Sequence, residues 1–180
     1  MRAMRRYRSP AAALVTLALT AAATFLVSGT SQAEPTKSQE FFKKTLLDDP
    51  KTSAAVKALL SERGGFVAPD IVFSDLTGDG RSDAVVLVET GGVAGAVALY
   101  VFSTDGQPAA SDLRAVYRSQ RLYRASVRAS GETLTVRTPR YVAGDDICCP
   151  VRIVERVYTW SATAQTMRQR SSREVRGPTS

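Results

Sequence analysis

The sequence predicts an α+β domain, with N-terminal helices followed by a mainly antiparallel β-sheet of six to eight short strands. Three observations predict it. Apolar residues recur at helical spacing only between Glu34 and Gly65. From Phe66 onward the apolar runs are short, and several alternate with polar residues. The connections between those runs are of hairpin length and carry Gly, Asp or Ser. No repeat of 20–50 residues is present, so a propeller or solenoid is not indicated.

The elements follow in order. Ser38 is placed to cap a turn holding Phe41, Phe42 and Leu46, and Asp49-Pro50 breaks it. A second helix is expected from about Thr52 to Arg63, with Ala55, Val56, Leu59 and Leu60 as its apolar stripe and Gly64-Gly65 as its stop. Asp70 to Phe73 reads as a short strand. Ala84 to Glu89 is apolar without alternation, the mark of a strand covered on both faces. Gly91-Gly92 is a turn, Ala96 to Phe102 the next strand, and Thr104-Asp105-Gly106 another turn. Residues 112–121 fit strand or helix. Tyr123 to Arg137 reads as a hairpin turning at Ser130-Gly131-Glu132, with Arg124, Ser126, Arg128, Thr133, Thr135 and Arg137 on one wet face. Val151 to Trp160 is a further strand, a weak one follows near Met167, and the polar residues 171–180 are expected to fray.

Residues 1–33 read as a secretory signal peptide. Arg2, Arg5, Arg6 and Arg8 form a positive start, Pro10 to Val27 is uncharged and rich in Ala, Leu and Val, and Ser31-Gln32-Ala33 is an A-x-A-like cleavage site. The stretch is too short and too alanine-rich for a membrane span, so no stable anchor is expected after cleavage. The organisation is then a signal over 1–33, a helical segment over 34–65, a strand-rich domain over 66–170 and a tail over 171–180. The 180-residue chain has 24 Lys and Arg against 17 Asp and Glu, and removing the four arginines of the signal leaves net +3. That charge is uneven. Glu34 to Asp105 is net −4, whereas Gly106 to Ser180 is net +7. The second half therefore reads either as a solvated strand face or as a patch for an anionic cell-wall polymer. Nucleic acid is not expected, because no aromatic-basic RNA motif is present.

The chain has no histidine, which excludes a Ser-His-Asp triad, a Cys-His dyad and a His-ligated zinc. Two constellations remain. In Asp75-Leu76-Thr77-Gly78-Asp79-Gly80-Arg81-Ser82-Asp83, oxygen side chains fall at positions 1, 3, 5 and 9, with glycine at 6. Ca²⁺ needs six to eight hard oxygens about one point, and this spacing offers Asp75, Thr77, Asp79, the Arg81 carbonyl and Asp83. Position 12 is Val86 where an EF-hand has glutamate, and the flanks are strands. The loop resembles those of FG-GAP and related extracellular modules, although here it occurs once. Its other reading is a turn in which Asp and Thr side chains cap backbone N–H groups.

The second constellation is Gly144-Asp145-Asp146-Ile147-Cys148-Cys149-Pro150. The cysteines are the two in the chain. In an oxidising compartment they join each other, bridge two chains, or stay free, and a structural vicinal disulfide is expected. Asp145 and Asp146 are candidates for acid/base work, but sequence neighbours do not aim at one substrate atom. Gly91 to Gly95 lacks the lysine and hydroxyl of a phosphate cradle.

The Gly144 to Pro150 segment, followed by Val151 to Tyr158 and Trp160, resembles the C-terminal signature of the LppP/LprE family of exported actinobacterial proteins. Asp75 to Val88 and Tyr100-Val101-Phe102 suit the central region of that family, so the likeness spans residues 66–165. This chain lacks the lipobox cysteine, which makes it similar to a soluble, secreted relative. The resemblance implies an envelope location and a strand-rich domain, and no catalytic residues. The expectation is thus a secreted, non-enzymatic binding or structural domain, with Ca²⁺ as its one candidate cofactor. The rival readings are an extracellular hydrolase using Asp145 or another carboxylate and a redox protein using Cys148-Cys149.

Overall fold

The computed structural model describes residues 34–104 and 113–177. The expected signal over 1–33, the Asp105-Gly106 half of a turn and the last three residues of the tail lie outside the described residues.

Helix α1 spans Lys37–Asp48 and α2 spans Ala54–Glu62. The cap of α1 is Thr36, two residues earlier than the sequence reading placed it. Thr36 Oγ1 accepts the Gln39 amide at 3.2 Å, and Gln39 Oε1 accepts the Thr36 amide at 2.8 Å. This reciprocal pair needs a Glu or Gln three residues after the cap. Ser38 has Phe41 there and so cannot form it. Ser53 caps α2, and Gly64, in the left-handed region at φ +70°, ends it while the Gly65 amide donates to the Leu59 carbonyl.

Nine strands follow, all paired antiparallel. They are β1 (Phe66–Val67), β2 (Val72–Ser74), β3 (Asp83–Glu89), β4 (Ala96–Ser103), β5 (Arg114–Ser119), β6 (Ser126–Ser130), β7 (Thr133–Arg140), β8 (Arg152–Ser161) and β9 (Thr166–Arg176). The expected single sheet is two sheets. The first runs β1-β3-β4-β5, with β2 also on β3; the second runs β6-β7-β8-β9. Residues 112–121, ambiguous in sequence, supply β5. The expected frayed tail is instead, as far as Arg176, the second half of β9. It is held by a register that runs from Ser161↔Thr166 to Arg152↔Arg176. Its polar composition misled because β9 is an edge strand whose second half is open to water.

The layers are helices, first sheet, second sheet. Phe42, Leu46, Val56 and Leu60 from the helices pack on Val86, Val88, Ala98, Tyr100 and Phe102. On the opposite face of the same strands, Val85, Leu99 and Val101 pack against Leu134, Val136 and Met167 of the second sheet. Strands β3 and β4 are therefore covered on both sides, which is why their side chains do not alternate in polarity. Each large apolar side chain so buried contributes roughly 1.5–3 kcal/mol. A polar clamp fixes the linker between the helices to the first sheet. Arg118 of β5 donates to Asp49 at 2.8 and 3.1 Å, and Gln120 accepts from the Ser53 amide and the Tyr100 hydroxyl and donates to the Lys51 carbonyl. Burial opposes the charge of Asp49, but the Lys51 amide and the Arg118 guanidinium outweigh it and hold its carboxyl below the usual range. Among the described residues no helix is long and apolar enough to cross a membrane.

Candidate functional site

The Asp75–Asp83 loop joins β2 to β3. Its carboxylates bind the loop's own backbone. Asp75 Oδ1 accepts from the amides of Gly78 (2.7 Å) and Asp79 (3.2 Å), and Asp75 Oδ2 from Gly80 (2.9 Å). Asp79 Oδ1 accepts the Arg81 amide at 2.8 Å. Asp83 is buried at the start of β3, and its Oδ2 accepts the amides of Leu76 and Thr77, both at 2.8 Å. Gly78 and Gly80 both have positive φ, which lets the chain wrap around Asp75. The spacing that suggested a cation loop thus delivers side-chain oxygens inward, and backbone N–H groups meet those of Asp75 and Asp83. Thr77 lies inside this ring, its hydroxyl facing Asp83 Oδ1 at 3.5 Å, while Arg81 contributes its amide to Asp79. Among the described residues no three acidic side chains converge on one point.

Cys148 and Cys149 are joined to each other, and no cysteine is free. Their loop is tied down by Ile147, whose carbonyl accepts from the Tyr141 hydroxyl at 2.8 Å and from Arg124. Asp145 Oδ2 accepts the Val142 amide at 3.1 Å, and Asp146 is exposed. Neither carboxylate is among the lining residues of the two clefts that the second sheet lines.

The second sheet is covered on one face only. Cross-strand register places Arg128, Arg137, Glu155, Arg173 and Arg168 on its outer face, and Arg170 is the extra residue of a bulge in β9. Glu155 on this face is 4 % exposed, held between two arginine side chains. Arg137 reaches its Oε2 through Nε (2.8 Å) and Nη2 (2.6 Å), and Arg173 reaches Oε1 through Nε (2.8 Å) and Nη2 (2.5 Å). Those two guanidinium contacts hold the Glu155 carboxyl below its ordinary range. Arg128, Arg168 and Arg170 have no acidic partner among the described residues.

Sequence reasoning missed a further feature, a cleft of about 380 Å³ between the two sheets. Its floor includes Leu99, Leu122 and Val136, and its polar lining includes Tyr117, Arg121, Thr138, Arg156 and Tyr158. Arg156 donates to Thr138 Oγ1 at 3.0 Å. The Tyr117 and Tyr158 rings lie 5.3 Å apart. Burial first, and the neighbouring Tyr158 hydroxyl second, push the Tyr117 phenol well above its ordinary value, so it is a neutral hydroxyl. The available signal was the alternation set Val154, Arg156, Tyr158 in β8, which faces inward with Val136 and Leu134 of β7. A smaller cleft of about 170 Å³ is lined by Arg124, Arg137, Tyr141, Cys148 and Ile153, beside the cysteine loop.

The chain has no significant match to any protein family, any curated protein or any solved structure, so the local chemistry of these sites carries the functional reading.

Proposed function

We propose that this is an exported, non-enzymatic domain of the cell envelope that binds an anionic cell-wall polymer through the outer face of its second sheet. One observation carries the reading: among the described residues, Arg128, Arg168 and Arg170 stand without acidic partners on or beside a face whose one carboxylate, Glu155, is already shared by two arginines. Exposed guanidinium groups bind phosphate and carboxylate in a planar, two-pronged way, and a row of them suits a repeating anion better than a single small one. The signal-like start, the acidic first half and basic second half, and the likeness of Cys148-Cys149-Pro150 through Trp160 to LppP/LprE proteins support the location. In this reading the Asp75–Asp83 loop is a brace for β2 and β3, and Ca²⁺ on Asp75, Thr77, Asp79, the Arg81 carbonyl and Asp83 is a reinforcement of it.

The test is co-sedimentation of residues 34–180 with purified teichoic-acid-bearing walls and with polyglutamate beads, over rising NaCl. Binding should weaken as salt rises, because exposed charges are screened over about 8 Å at physiological ionic strength. The triple variant Arg128→Ser, Arg168→Ser, Arg170→Ser should lose most of it while its unfolding temperature holds. Retention of full binding by that variant would overturn the proposal.

A further inference from the structure

We propose that the cleft between the two sheets is a second, separate ligand site, for a small organic anion made of an oxyanion head and a compact apolar body. Its polar lining carries two cations and a set of hydroxyls. Arg156 and Arg121 are donors only and permanently charged, while the hydroxyls of Tyr117, Tyr158, Ser119 and Thr138 can donate or accept, Thr138 already accepting from Arg156. Among the described residues no carboxylate lines the cleft. Arg156 spends one N–H on Thr138, and neither it nor Arg121 has an acidic partner among the described residues. Arg156 is half-buried, whereas Arg121 is exposed; a guanidinium half-withdrawn from water without a counter-charge is costly to hold, and an incoming anion removes that cost for Arg156.

The remaining lining selects the body of the ligand. Half-buried Leu122 and Pro139 form an accessible apolar side above the buried Leu99 and Val136, and Tyr123 adds a ring that itself packs edge-on against Tyr141 at 5.9 Å. About 380 Å³ falls in the range of small-molecule sites. A bare inorganic anion would leave the apolar side wet, and an uncharged ring would leave the arginines unpaired. The chemistry that satisfies both is a carboxylate or a phosphate monoester on a ring-sized hydrocarbon. The cleft stands apart from the polymer face, since Arg156 points inward from β8 while Glu155 next to it points outward.

The test is titration of residues 34–180 with benzoate and with phenyl phosphate, followed by heteronuclear NMR and calorimetry. Benzyl alcohol and inorganic phosphate serve as the half-ligands. At least one of the two full probes should saturate, shift the amides around Tyr117 and Arg156, and bind at least about tenfold tighter than either half-ligand, the scale of one charge-assisted hydrogen bond. Which of the two wins assigns the head group. Arg156→Gln should cost about tenfold in affinity, and Arg121→Gln, at an exposed position whose loss cannot unfold the sheets, should weaken binding as well. The Arg128, Arg168, Arg170 triple variant should bind the probe unchanged, which separates this site from the polymer face. Equal binding of benzyl alcohol, no saturable binding of either full probe, or unchanged affinity in both Arg156→Gln and Arg121→Gln would each overturn the proposal.

Discussion

Replacing Asp83 tests the loop most directly. Its Oδ2 holds the amides of Leu76 and Thr77 at 2.8 Å each, and Leu76 is fully buried. Asp83→Ala leaves two donors without an acceptor. Each orphaned buried group costs about 1–3 kcal/mol, and water can reach the half-buried Thr77 amide, so the expected total is about 3 kcal/mol. For a domain of roughly 150 residues that lowers Tm by about 6–12 °C. Asp83→Asn keeps one carbonyl oxygen where both amides already converge, and should lose only about 1 kcal/mol, the charge-assisted part. The assay is urea unfolding of residues 34–180, followed by Trp160 fluorescence and circular dichroism, in EDTA and again in millimolar Ca²⁺. The loss should be present in full in EDTA. Asp83→Ala as stable as the parent in EDTA, or Asn as damaging as Ala, would refute the hydrogen-bond argument. A Tm that climbs with Ca²⁺ in the parent and not in Asp79→Ala would add a cation to the brace.

Three further outcomes are expected. Leu134→Ala, at a fully buried site between the sheets, should destabilise by about 2–5 kcal/mol in the same urea assay, and a loss under 1 kcal/mol would mean the sheets do not pack through it. Asp49 has a depressed carboxyl in the folded state, so its contribution is complete above about pH 4, the unfolded value, and fades as pH falls through the lower folded value. Asp49→Asn should therefore be about 1 kcal/mol less stable at pH 7, with the gap closing on acidification; a gap that stays constant down to pH 2 would remove Asp49 from the acid limb. The double change Cys148→Ser, Cys149→Ser should shift stability by less than about 1 kcal/mol, because a ring closed by adjacent residues constrains almost no chain entropy, and a larger loss in thermal unfolding would show that the loop braces the sheet.

The fold class was legible because two periodicities occupy separate stretches of chain. Helical spacing stops at Gly64-Gly65, and the uniformly apolar Ala84 to Glu89 announces a strand with a layer on each side. Three things were not legible. The division into two sheets depends on β5 and β6 not pairing, and nothing local in residues 119–126 states it. The extent of β9 was hidden because an edge strand needs no apolar alternation when its partner, β8, supplies the register. The cleft was hidden for a related reason. Arg156 and Tyr158 sit at inward positions of β8, where a pattern reader expects hydrophobes, while Ile153 and Val157 take the outward ones. The Asp75 loop was legible as a motif, yet its spacing alone could not show that backbone amides take both Asp75 oxygens and Asp83 Oδ2.

The long last strand has a consequence for behaviour at high concentration. β9 offers eleven residues of backbone at the rim of the second sheet, an open template for a neighbouring chain. Its sequence carries Arg168, Arg170, Arg173 and Arg176 along that rim. Two molecules approaching rim to rim in antiparallel fashion would bring guanidinium against guanidinium at several rungs, with Glu174 on β9, and Glu155 already bound to Arg173, to offset them. The arginines along this rim therefore oppose pairing of β9 with a second copy of the chain. Multivalent anions that neutralise the rim would lift that opposition and leave the edge open to pairing.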